Sequence, residues 1–416
     1  MPATRHTRFP KLRSVDVRPV THQGRRLFLL RDPLQLSDQT LLVPQVLGPV
    51  LALCDGTLED SKALGAALAI RYGLPIDASS IEQLLEALDQ AVLLDNEHYE
   101  EARQNALNEY RRAPFRMPSL AGPSYPAEPD ELRGLLRSYE VGNEQKAREM
   151  KANGVGLVTP HIDYTRGGPV YAQVWRQADE SIRSAELVII FGTDHFGGDA
   201  SITLTRQNYA TPFGVLPTAR GIVDDLARGI GEPLAFDGEL RHRGEHSVEL
   251  AAVWLHHTRE ERECEVVPVL CGSFSRFTCG LADAAEDERI NTLVAILREH
   301  MRDRQTIVVA AADLAHVGPA FGGEPIDLAG RVALQESDAE LIDRMCDGDA
   351  EGFLGAIKRV EDRNNVCGVS PIYLALKTLQ GTKGRFVAYD RCPADEEGTS
   401  LVSICGVVFG EDGVPG

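Results

Sequence analysis

The chain has 416 residues, 43% of them hydrophobic, enough to bury the cores of two domains and too apolar for wholesale disorder. A formal net charge of -19 disfavours a nucleic-acid backbone or an anionic membrane surface as the main partner, because like charges repel. No apolar run approaches a membrane span, the basic start MPATRHTRFPKLRSV lacks the apolar segment of a secretory signal, and the eight cysteines form no CxxC pair. The expected compartment is the reducing cytoplasm, with most thiols serving as small core residues.

From Val17 to Leu36 the pattern suits short strands, RRLFLLRDP being the clearest. Three helical patches follow: Thr40 to Cys54, Thr57 to Tyr72 with a threonine cap, and Ser79 to Gln90 with Ser80 before IEQLLEALDQ. AVLLD, Ala91 to Asp95, reads as a closing strand. Strands with three short helices suggest a winged-helix-like unit similar to PqqD-like peptide-recognition domains. Glu97 to Arg112 is a charged helix, so this domain is placed at 1–112 and the second at 113–416. The proline-rich stretch from Ala113 reads as a linker, and Asp130 to Tyr139 as a further helix.

The second domain begins its repeat at GVGLVTPHIDYTRGG. Val155 to Thr159 reads as a buried strand, His161 follows Pro160, and Gly167-Gly168 ends the loop before a helix from Pro169 to Ala178. Strands then alternate with helices. ELVIIF ends in Gly192-Thr193-Asp194-His195, and TIVVAA ends in Ala312-Asp313-Leu314-Ala315-His316. Ile202 to Leu204 reads as an edge strand, EVVPVL as another strand, and RFVAYD and SLVSICGVVFG close the chain. The expected fold is α/β, a mixed and mostly parallel sheet covered by helices. Such sheets bind ligands beyond the carboxyl ends of their strands, where His161, His195, Asp313 and His316 fall.

Two further groups stand at helix starts, His246 in RGEHSVEL and Cys367 in NNVCGVSP. Imidazole and thiolate both bind transition metals, and three protein ligands with open positions is the form of a reactive metal site. Each residue alone also fits a hydrogen-bonding or surface role. Glu249 lies one helical turn beyond His246 and either orients it or merely favours the helix dipole. Asp313 and His316, three apart, read as an acid–base pair or as capping groups. His256-His257 match the dipole at a helix C-terminus. There is no GxSxG elbow, no phosphate-binding GxxxxGK[ST] loop and no dinucleotide fingerprint.

The segments TPHIDYTRGGPVYA, GTDHFGG, YATPFGVLP, GEHSVEL, VVPVLCGS, AADLAHVG and NNVCGVSPI, in that order, resemble the Memo-like family. In bacteria and archaea this family includes AmmeMemoRadiSam system protein B. AGPSYPAEPDEL resembles the family's usual AGxWYP start, and the likeness runs from about residue 119 to the end. The resemblance implies a fold similar to class III (LigB-type) extradiol dioxygenases, with two histidines and a cysteine where those enzymes hold non-haem iron on two histidines and a glutamate. By motif the metal ligands are His161, His195 and Cys367, with His246, Asp313 and His316 lining the same pocket. It implies iron(II) first, with copper or zinc as alternatives, and oxidative chemistry in which His316, supported by Asp313, moves a proton while His246 stabilises negative charge. Two other functions stay open, a zinc-type hydrolase and a non-catalytic module. The latter would hold a small molecule or peptide in the vestibule and dock a radical-SAM partner. Asp163, Arg166, Phe196 and Ala251 depart from the family pattern.

Overall fold

A computed structural model describes residues 9–140, 156–260 and 262–410; Val155, where the first strand of the second domain was expected to begin, lies outside them. The chain divides into two compact units, one ending at Ala113 and the other beginning at Pro114.

In the first unit β1 (Asp16–His22), β2 (Arg25–Arg31) and β3 (Leu41–Pro44) form an antiparallel sheet in that order. The two-residue turn between β1 and β2 puts both Gln23 and Gly24 at positive φ, the geometry that matches strand twist. Helices Ser61–Tyr72, Ala78–Gln90 and Glu97–Arg112 follow. Asp60, Asp77 and Asn96 start them by accepting amide protons of the first turn. The cap expected at Thr57 is therefore Asp60; the Thr57 amide and hydroxyl are both taken by Asp55. The stretch 40–54 is not one helix, because β3 occupies its start, a single 3-10 turn follows over Gln45–Leu47, and an α-helix forms only over Gly48–Leu53. Nor is 91–95 a strand: Val92 sits at a φ of 58°, and Leu94 makes an isolated bridge to Leu12. Leu30, Leu64, Leu68, Ile81, Leu85 and Leu88 form the core of this unit.

The second unit is built on β4 (Gly156–Thr159), β5 (Leu187–Thr193), β6 (Ile202–Leu204), β7 (Tyr209–Thr211), β8 (Gly214–Leu216), β9 (Glu265–Cys271), β10 (Thr306–Ala311), β11 (His316–Val317), β12 (Gly384–Pro393) and β13 (Leu401–Phe409). Four neighbours are parallel, in the order β4, β10, β5, β9. β6 closes one side antiparallel to β9. On the other side β13 runs antiparallel to β4, with β12 paired along it and β11 at its start. β7 and β8 form a separate hairpin, which sequence patterning did not single out.

Side chains alternate across the sheet, as strand geometry requires. Leu187, Ile189 and Phe191 pack beneath helices Arg220–Ile230, Glu288–Met301 and Val369–Leu379. Val188 and Ile190 face the layer of helices Tyr164–Gln177 and Ser247–Arg259. The first of these starts five residues earlier than the expected Pro169, capped by Asp163. Gly167 and Gly168 lie inside it rather than in a loop. Their lack of a side chain serves packing: a Cβ on Gly168 would stand 2.7 Å from the Tyr139 ring, and one on Gly167 would stand 2.6 Å from Ile162.

Candidate metal centre

Three adjacent parallel strands set the site. β4, β10 and β5 end side by side, and the chain leaving each delivers one polar group: His161, Asp313 and His195. Two other segments come in from helix starts. Ser247 Oγ donates to the Thr193 carbonyl at 2.8 Å, which pins the start of helix Ser247–Arg259 against the end of β5. Gly192 permits that approach, since a Cβ there would meet Ser247 Oγ at 2.5 Å. Cys367 is held by two backbone contacts: its carbonyl accepts from Thr193 Oγ1 at 3.2 Å, and Gly368 N donates to the Asp313 carbonyl at 3.1 Å. A Cβ on Gly368 would lie 2.4 Å from that carbonyl, so the Cys-Gly pair is a packing requirement.

His161, His195 and Cys367 each offer one ligand atom, all within 4.8 Å of one another. The tautomers follow from their partners. His161 Nδ1 lies 3.0 Å from the Ala311 carbonyl, which can only accept, so Nδ1 carries the proton and Nε2 turns toward Cys367 Sγ at 3.2 Å. His195 Nδ1 lies 3.1 Å from both oxygens of Glu245, leaving its Nε2 for a metal. A carboxylate behind a histidine in this way fixes the ring and raises its basicity.

Burial alone would pull the His161 imidazole down, but Asp313 and the Cys367 sulfur outweigh it and push it up to about 9. Burial would raise the Cys367 thiol; His161 and His316 instead hold it well below its ordinary value. Each group thus favours the charged form of the other, and the thiolate is the form that binds metals.

His195, Glu245 and His246 form a second cluster of the same tightness. Its carboxylate is committed elsewhere. Glu245 Oε1 accepts the amides of His246 and Ser247 at 2.7 and 3.1 Å, and Oε2 accepts the amide of His195 at 3.1 Å. Burial would raise the Glu245 carboxyl, but the neighbouring His195 and His246 side chains outweigh it and hold the carboxyl well below its ordinary range. This group is the support of the first cluster. His246 stacks on His195 with ring centroids 4.6 Å apart and stands edge-on to His161 at 5.3 Å.

Asp313 and His316 do not pair with each other. Asp313 Oδ1 accepts the amides of His161 and Ile162 at 2.8 and 3.2 Å, and Oδ2 lies 3.6 Å from His161 Nε2. His316 Nδ1 donates to the Leu314 carbonyl at 3.2 Å, which leaves its Nε2 unprotonated in the neutral ring. Glu249, a carboxylate that could orient His246 or merely favour the helix dipole, points elsewhere. It is buried against the Arg116 guanidinium and accepts from Ser119, from the Leu120 amide at 2.9 Å and from the Tyr125 hydroxyl at 2.5 Å. Arg116 in turn donates to the carbonyls of His242 and Glu245 at 2.7 and 3.0 Å. Arg116 and Glu245 thus position the site, and neither was singled out from sequence. No local pattern marks Arg116, which meets Glu249 across 133 positions of sequence. Glu245 had one signal, its place directly before His246 at a helix start.

The family model of the Memo-like protein matches residues 116–408. The chain belongs to the Memo-like family. A MEMO1 family protein of Aquifex aeolicus is 25% identical over 96% of this chain and 99% of its own length, so that alignment takes in most of the first unit. The MEMO1 family protein of Methanosarcina barkeri is 28% identical over 66% of this chain and 92% of its own length. That of Thermus thermophilus is 27% identical over 77% and 90%. For this Memo-like chain, no helix among the described residues is long and apolar enough to cross a membrane.

Proposed function

We propose that the protein binds one redox-active transition metal, iron(II) first, through His161, His195 and Cys367, and carries out oxidative chemistry there. The observation that supports this is the convergence of two ring nitrogens and a sulfur within 4.8 Å, with each imidazole's other nitrogen already committed to a backbone carbonyl or a carboxylate. Two imidazoles and a thiolate suit iron, copper or zinc, and leave positions open for further ligands. The metal, when bound, would supply Lewis acidity and one-electron chemistry.

The chain's own groups have separable tasks. Asp313 holds the His161 backbone through its amide, and Glu245 holds His195 through both amide and ring. His316, whose Nδ1 faces the Leu314 carbonyl, would move a proton through Nε2, the nitrogen not used in that contact. His246, 37% exposed in its side chain, directs Nδ1 at Glu245, and with a second proton on its other nitrogen it would face developing negative charge as a donor.

Metal analysis of protein purified without oxygen tests this reading. One equivalent of iron in the wild type, lost in His161→Ala and Cys367→Ala, supports it. Tight zinc with ester hydrolysis would move the assignment to a hydrolase. No metal under any condition would leave the cleft as a binding module.

A further inference from the structure

A cavity of about 520 Å³ opens on His316, a size that takes one small organic molecule. The turn 318–327, the start of helix Leu328–Cys346 and the loop 363–365 wall it. Its wall at 363–365 lies close in sequence to Cys367 of the metal cluster. The His316 amide donates to the Asn364 carbonyl at 2.9 Å, and Cys367 follows three residues on. Phe321 stands edge-on to the His316 ring at 5.0 Å, and Leu334 and Ile326 extend this apolar side.

The charges on the walls are the informative part. Glu324 and Arg363 both line the cavity, and neither is held in an ion pair with a described residue. The third charged group, Asp327, is occupied as a helix cap, accepting the Gly330 amide at 2.7 Å. A cavity lined by one acidic and one basic residue, neither in an ion pair with a described residue, suits a ligand that carries both charges. A guanidinium fork matches a carboxylate in shape as well as sign.

We propose that this cavity binds a free amino acid with an apolar side chain, its carboxylate on Arg363, its ammonium on Glu324 and its side chain against Phe321 and His316. That such a ligand is the substrate rests on the metal-centre reading above; the binding itself does not.

Calorimetric titration of the full chain with three probes separates the elements: L-phenylalanine, 3-phenylpropionate without the ammonium, and phenethylamine without the carboxylate. Phenylalanine is expected to bind at least about tenfold more tightly than either truncated probe, the scale of one charge-assisted contact. Arg363→Gln should abolish its advantage over phenethylamine, and Glu324→Gln its advantage over phenylpropionate. Both side chains are exposed, so neither change threatens the fold. Equal binding of the three probes, no binding at millimolar concentration, or indifference to both substitutions overturns the proposal. Metal content is measured on the same samples. A chain that holds its metal but not phenylalanine refutes the cavity assignment alone, and one that binds phenylalanine but never a metal refutes the metal centre alone.

Discussion

The Glu245 carboxylate touches His195 twice, accepting its backbone amide from one oxygen at 3.1 Å and facing its Nδ1 with both. One side chain thereby sets where the residue sits and which nitrogen is left for a metal. Glu245→Gln keeps the size and most of the amide contacts but removes the negative charge behind the ring. Metal affinity, measured by competition with a chelator, should fall about 10- to 100-fold, as for other groups placed behind a metal-binding histidine. An unchanged affinity would reduce Glu245 to an anchor of the loop.

Metal binding should also appear as stability. A ligand at about a thousandfold its Kd adds about 4 kcal/mol to the folded state. Thermal melts should shift upward on loading the wild type, and stay where they are for Cys367→Ala. An equal shift in both proteins would place the stabilising metal somewhere other than this cluster.

The Arg116–Glu249 pair is buried on both sides, at 0% exposure of either side chain. Breaking such a pair strands the remaining charge and costs about 3–5 kcal/mol. Glu249→Ala should lose this much in urea denaturation, because five donors from Arg116, Ser119, Leu120 and Tyr125 lose their acceptor together. A loss below about 1 kcal/mol would show that water replaces the carboxylate.

His242 makes a pH prediction. Its Nε2 donates to the Thr203 carbonyl and its Nδ1 accepts from the Tyr209 hydroxyl, so the buried ring is neutral. Burial pulls it from 6.5 down to about 3, with Arg116 and Arg241 adding to the shift and Glu245 opposing it. Between those values the unfolded chain binds a proton that the folded chain refuses. Stability therefore falls as pH drops through this window, by about 1.4 kcal/mol per pH unit from this group. His242→Gln preserves one donor and one acceptor without titrating. Denaturation at pH 7, 6 and 5 should show a shallower slope for the variant; parallel slopes would mean that the imidazole takes up its proton without unfolding.

Gly406 lies on β13 under the helix that follows the His161 loop, and a Cβ there would come within 1.9 Å of Val174. Gly406→Ala should cost about 1–3 kcal/mol through overpacking. Adding Val174→Ala should recover part of it. Additive losses in the double variant would point to backbone strain instead.

Much of the parallel sheet was legible because buried strands such as ELVIIF and TIVVAA are unbroken apolar runs ending in polar residues. The same ends made His161, His195 and Asp313 visible. Cys367 was legible only through its motif, since nothing in a lone cysteine separates a ligand from a core thiol. Partnerships were harder. Glu245 and Glu249 are both near His246 in sequence, and only the fold decides which carboxylate faces inward. The glycines at 167 and 168 read as loop because their purpose, room for Ile162 and Tyr139, is a tertiary matter. The cavity beside His316 left no periodic trace, being walled largely by turns.

β13 is translated after every other strand described, yet it seals the flank of β4, the strand that leads into His161. Until residue 409 has left the ribosome, β4 presents an open row of amides and carbonyls on that side. The earlier strands can pair among themselves, but the cleft's first wall is finished only by the last segment. A nascent chain stalled before Leu401 therefore exposes an edge suited to pairing with a neighbour, and the risk of aggregation during synthesis is concentrated in that interval.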